Sequence, residues 1–136
     1  MNQIIGETSP INILVIEDNH GDFFLLEEYL SEVSININTN HCKNLEHAVS
    51  FLQQNTNSIS VIFSDMNLPD ASNMELVEDL LNNSNSIPVI LLSGHKNEKI
   101  IEKSKKMGAF GFFLKDDLNP ALLKETIEMA IKKMAS

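Results

Sequence analysis

The sequence predicts an α/β fold of the doubly wound kind, (βα)5, with one parallel five-stranded sheet. Three observations predict it. Short apolar runs recur at steps of about 25 residues, at 11–16, 35–42, 60–64, 88–92 and 110–114. Four of them are unbroken (Ile13-Leu-Val-Ile16, Val61-Ile-Phe63, Val89-Ile-Leu-Leu92 and Phe112-Phe-Leu114), as expected of strands covered on both faces. Segments of helical periodicity separate them, and helical crossovers imply parallel strands.

Each element has its own signal. The first strand is the run at 11–16. The first helix spans 22–33, with Phe23, Leu26, Tyr29, Leu30 and Val33 at steps of three and four. In the second strand Ile35, Ile37 and Thr39 alternate with Asn36, Asn38 and Asn40, a polar alternation that suits a sheet edge. The second helix, 45–54, repeats the periodicity with Leu45, Ala48, Val49 and Leu52. After the third strand, 74–81 carries Met74, Val77, Leu80 and Leu81, with Ser72 or Asn73 as N-cap. The fourth helix begins near Asn97, carries Ile100, Ile101 and Met107, and meets a terminator in Gly108. The fifth opens with Asn119 as N-cap and Pro120 in the first turn, and ends with Lys132 and Lys133 at its negative pole. Residues 1–10 are expected to form an N-terminal arm and 11–136 the domain.

Composition narrows the function. The 136 residues hold ten lysines, no arginine and nineteen acids, a net charge of −9. Residues 1–95 carry thirteen acids against Lys43 alone, whereas 96–136 carry nine lysines against six acids. An acidic chain without arginine is poorly suited to gripping phosphodiester backbones, so direct nucleic-acid binding is not expected. No apolar run approaches a membrane span, and residues 1–10 lack the order of a signal peptide, so no membrane association is expected. Cys42, the single cysteine, is expected as a small buried apolar residue, and a cytoplasmic location follows as the default.

Ligands of open α/β sheets sit outside the carboxyl ends of the strands. Strand 1 delivers Glu17 and Asp18 to that rim, strand 3 delivers Asp65, strand 4 Ser93 and strand 5 Lys115. Clustered carboxylates repel unless a cation neutralises them. Mg2+ suits an oxygen-only site built from an acid of strand 1, Asp65 and a backbone carbonyl near Asn67. A metal and Lys115 together would neutralise a transferring phosphoryl group, leaving Asp65 as carboxylate nucleophile and Ser93 as hydrogen-bond donor.

These residues, in this order, resemble the receiver domain of two-component response regulators. The matching stretches are Ile13-Leu-Val-Ile-Glu-Asp-Asn19, Asp65-Met-Asn-Leu-Pro69, Leu92-Ser-Gly94 and Gly108-Ala-Phe-Gly-Phe-Phe-Leu-Lys115, within about residues 11–134. The resemblance implies the flavodoxin-like strand order 2-1-3-4-5. By position it makes Glu17 and Asp18 the acidic metal pair, Asp65 the phosphorylated aspartate, Ser93 the switch hydroxyl, Phe112 the switch aromatic and Lys115 the phosphate-sensing lysine. It implies a stand-alone regulator that takes phosphate from a sensor histidine kinase or phosphotransfer protein. Output would pass to a downstream protein, or to a second copy, through the face of helix 4, strand 5 and helix 5. No enzymatic activity is implied beyond Mg2+-dependent self-phosphorylation and self-dephosphorylation. The opening looks closest to single-domain regulators paired with phytochrome-type kinases.

Three departures from the family pattern bear on the site. Asn73 stands where glycine is common, and asparagine tolerates a left-handed turn. Asp116 follows Lys115 where proline is frequent, which weakens the case for a cis peptide there. Phe112 replaces the commoner tyrosine. His20, His41 and His47 are expected as surface or turn residues, and His95 as a rim residue or a solvated loop residue. The competing class is a phosphate-independent interaction module of receiver-like fold. An aspartyl phosphatase of the haloacid-dehalogenase type would want a second aspartate where Asn67 stands.

Overall fold

The computed structural model describes residues 9–135. Five parallel strands, β1 (Ile11–Ile16), β2 (Ile37–Cys42), β3 (Val61–Asp65), β4 (Val89–Ser93) and β5 (Gly111–Leu114), form one sheet in the order β2-β1-β3-β4-β5. The helices are α1 (His20–Ser31), α2 (Leu45–Asn55), α3 (Asn73–Asn83), α4 (Glu98–Met107) and α5 (Pro120–Ala135). The expected strand order holds, with β2 at one edge. Residues 1–8 of the expected arm lie outside the described residues.

The unbroken apolar strands serve two cores, because successive side chains leave a strand on opposite faces. Ile13, Val15, Val61, Phe63, Ile90 and Leu92 pack with Leu26 and Leu30 of α1 and Leu123, Ile127 and Ala130 of α5. Leu14, Ile16, Ile62, Val89 and Leu91 pack with Leu45, Ala48 and Leu52 of α2 and Leu76, Val77 and Leu80 of α3. Helices therefore cover both faces. The site-bearing carboxyl ends of the strands stand on a largely apolar interior.

Capping residues set where the helices start and stop. Asn19, Asn44, Asn97 and Asn119 each accept a backbone N–H three residues on, at 2.8–3.2 Å. Gly108 adopts φ 118°. Its N–H bonds the Lys105 carbonyl and the Ala109 N–H bonds that of Ser104, the Schellman pattern, which frees the chain to enter β5. Asn73 takes φ 51°, the left-handed turn expected of it.

Several expectations are corrected. Ser72 does stand at the N-cap position of α3, but without a side-chain cap bond. Asp70 caps instead the N-terminus of α2, accepting the Leu45 and Glu46 N–H groups at 2.9 Å each, because the loop after β3 folds back over that helix. Met107, placed on the apolar stripe of α4, is exposed, since the helix unwinds at Gly108 before the stripe regains the core. Cys42 is half-buried at the sheet edge, and burial raises its thiol pKa. Among the described residues no peptide bond is cis.

Candidate functional site

The rim groups reach one another because β1, β3 and β5 end within two residues of one another in register. Glu17 follows β1 and is buried at 3% exposure, its backbone N–H held by the Cys42 carbonyl at 3.0 Å. Its Oε2 accepts the Asn19 N–H at 3.2 Å, and its Oε1 lies 2.8 Å from Lys115 Nζ. Asp65 ends β3 at 7% exposure, with Oδ1 accepting the Asn67 N–H at 3.2 Å and Oδ2 accepting from Lys115 at 3.2 Å. Asp18 points from the same turn as Glu17 and is exposed. Glu17, Asp18 and Asp65 each offer an oxygen, all within 4.8 Å of one another.

Electrostatics follow from this crowding. Burial, reinforced by Asp65, pushes the Glu17 carboxyl up to about 7, against the Lys115 ammonium and the Asn19 N–H, which favour its charged form. Lys115 moves the other way from its own desolvation. Burial would lower it, but Asp22, Glu17 and Asp65 together raise it above its ordinary value. One ammonium faces four carboxylates, so the pocket retains negative charge and its oxygen-only donors fit a hard divalent cation.

Two residues join the site without having been expected there. Asp22, in the first turn of α1, places Oδ2 2.8 Å from Lys115 Nζ. In sequence it reads as an ordinary acid at a helix start, and the only signal was its position four residues after Asp18. His41, expected at the surface or in a turn, sits half-buried in β2. Its ring stacks on Phe23 with centroids 3.7 Å apart and planes 4° from parallel, and its Nε2 donates to the Glu17 carbonyl at 2.7 Å. A strand-edge asparagine run hid that role.

Ser93 is buried at the end of β4, but its hydroxyl is engaged locally. It donates to the His95 carbonyl at 2.8 Å and accepts the His95 N–H at 3.1 Å. His95 itself is exposed. Phe112, paired in register with Leu91, is half-buried and packs against the core on the α4 side. Asn67 is exposed on a two-residue ribbon, Asn67–Leu68 with Ala71–Ser72, that leads into α3.

Known proteins resemble the chain in sequence and fold. Residues 13–128 match the family model described as response regulator receiver domain. The Two-component response regulator ARR10 of Arabidopsis thaliana is 28% identical over 77% of this chain, and the matching stretch is only 18% of that protein's length. A response regulator receiver domain protein from Clostridium thermocellum has a solved structure that superposes with a TM-score of 0.81, covering 92% of this chain and 97% of that one at 24% identity. The solved Mn(2+)-bound form of response regulator Rcp1 is 26% identical and covers 90% of this chain and 91% of its own, with a TM-score of 0.70. These matches reach the receiver family as a whole without singling out regulators of phytochrome-type kinases. Among the described residues no helix is long and apolar enough to cross a membrane. With the family model spanning most of the sequence, and with the acids, hydroxyl and lysine standing on successive strand ends, the chain belongs to the response regulator receiver domain family.

Proposed function

We propose that this receiver domain accepts a phosphoryl group on Asp65 from the phosphohistidine of a sensor histidine kinase or phosphotransfer protein, in a Mg2+-dependent reaction. The observation that carries the reading is the buried Asp65 carboxylate, held by Lys115 at 3.2 Å within an acidic cluster that includes Glu17 and Asp18. Glu17, Asp18, Asp65 and the backbone carbonyl of Asn67 would hold the cation. Bound there, Mg2+ supplies charge neutralisation for the phosphoryl oxygens.

An Asp65 carboxylate oxygen attacks phosphorus as the histidine N–P bond breaks, and the bond pair stays on the imidazole nitrogen. Lys115 stabilises the negative charge of the transferred group. Hydrolysis, by attack of water on the same phosphorus, returns Asp65 to a carboxylate and releases inorganic phosphate. Ser93 signals the modified state when its O–H leaves the His95 carbonyl for a phosphoryl oxygen, and Phe112 repacks beside it. The altered face is α4, β5 and α5. Lys99, Lys103, Lys105 and Lys106 stand exposed on α4, which suits an acidic downstream protein or the acidic half of a second copy.

Acetyl phosphate tests the reading. Intact mass should show one phosphoryl adduct on the wild type in Mg2+ and none in chelator or in Asp65→Asn. An adduct that persists on Asp65→Asn would move the acceptor elsewhere. A wild type that never gains one would favour the phosphate-independent interaction module.

A further inference from the structure

The charges of the site converge on Lys115, and one of its partners has no task in the phosphoacceptor scheme. Nζ lies 2.8 Å from Glu17 Oε1, 2.8 Å from Asp22 Oδ2 and 3.2 Å from Asp65 Oδ2. An ammonium has three protons to donate, so three carboxylates saturate it. Glu17 and Asp65 are also, with Asp18, the residues whose oxygens converge within 4.8 Å; Asp22 is outside that group. It comes from the first turn of α1, where Asn19 Oδ1 accepts its backbone N–H at 2.9 Å. Its side chain is 44% exposed, against 4% for Glu17 and 10% for Asp65.

We propose that Asp22 is a positioning residue for Lys115: it retains Nζ when Glu17 and Asp65 turn their oxygens to a divalent cation, and it then shares the ammonium with the incoming phosphoryl oxygens. The inference rests on the Mg2+-dependent phosphoacceptor reading. Its consequences have opposite signs in the two states of the site. Before the cation binds, Asp22 takes part of Lys115's hydrogen bonding away from Glu17 and Asp65, which makes both easier to recruit. Once the cation is bound, Asp22 competes with the phosphoryl group for the same protons. Asp22 thereby favours metal binding and restrains phosphoryl retention.

Loss of a carboxylate charge acts through space with the same signs, so the test must isolate the part that passes through Lys115. Four proteins serve: wild type, Asp22→Asn, Lys115→Met and the double variant. Mg2+ affinity is read by calorimetry, and beryllofluoride affinity at saturating Mg2+ by 19F NMR. Asp22→Asn should weaken Mg2+ by about three- to tenfold and tighten beryllofluoride by a similar factor. Asp22→Glu should restore both. In the Lys115→Met background the Mg2+ effect should shrink to less than half on a logarithmic scale. Equal effects in both backgrounds would overturn the proposal in favour of charge alone. Two affinities that fall together would overturn it in favour of a role in holding α1. A wild type that binds both ligands beside an unchanged Asp22→Asn defeats the Asp22 assignment alone. A wild type that binds neither defeats the phosphoacceptor reading and this inference with it.

Discussion

Replacing Glu17 by glutamine should make the metal-free protein more stable at neutral and alkaline pH, although it removes half of a 2.8 Å ion pair. The carboxyl is pushed from an ordinary value of 4.5 up to about 7, chiefly by burial. Below pH 4.5 it is protonated in both the folded and unfolded chain and imposes no penalty. As the pH rises toward 7 the unfolded chain ionises first, so the folded state loses ground, and above 7 the loss is complete. That interval corresponds to about 3 kcal/mol. Glutamine keeps the shape and the Asn19 bond, and because the shift is already net of the Lys115 attraction the expected gain is up to about 3 kcal/mol. Lys115 is raised and stays charged throughout, with Asp22 and Asp65 still beside it. Urea denaturation of both proteins in chelator, from pH 4.5 to 8.5, gives the difference directly and cancels the titrating groups that do not touch Glu17. The curves should coincide near pH 4.5 and separate up to pH 8. Mg2+ at one thousand times its Kd should reverse the order, since it then adds about 4.1 kcal/mol to the protein that binds it. A variant no more stable than wild type at pH 8 in chelator, or a difference independent of pH, would refute the argument that Glu17 is destabilising in the metal-free protein.

Two further substitutions probe the scaffold. Asp70→Ala removes the cap of α2 and should cost about 1–2 kcal/mol by chemical denaturation. Burial alone would raise the Asp70 carboxyl, but the Leu45 and Glu46 N–H groups outweigh it and lower it, so this stability is present above the ordinary aspartate range and fades as pH falls through the lowered value. Ser104→Ala should be neutral or stabilising by up to about 1–2 kcal/mol in the same assay, because the Ser104 hydroxyl is fully buried on α4 with no hydrogen-bond partner among the described residues; a clear loss would reveal a bond to an ordered water.

Much of this architecture was legible because it rests on local signals. The apolar runs that make β1, β3 and β4 are buried on both faces, so the pattern in sequence and the pattern of burial are the same fact. The asparagine caps and Gly108 act within their own turn. Glu17, Asp18, Asp65 and Lys115 were legible because parallel strands deliver their last residues to one edge, so strand ends alone locate them. What escaped were relations across the chain. Asp70 lies just before α3 but the loop carries it back to cap α2. Asp22 and Lys115 are 93 residues apart, and His41 meets Glu17 only because β2 lies in register beside β1. Such partners depend on how helices settle on the sheet, which no single segment encodes.

The same relations explain how so acidic a pocket persists without collapsing into mutual repulsion. The buried groups already have partners: Asp65 and Glu17 share Lys115 with Asp22, and the Ser93 hydroxyl is occupied by His95. Phosphorylation under the proposed scheme is therefore an exchange of partners rather than the filling of a vacancy. Each new bond must be better than the one it displaces, so the net free energy that moves α4 and β5 is a small difference between comparable terms. Phe112 is already packed against the core beneath α4, so its inward packing contributes less to that difference than a solvated ring would. Under that scheme the burden of the switch falls on the polar exchanges at Ser93 and Lys115, whose competing partners are the His95 carbonyl and the Asp22 carboxylate.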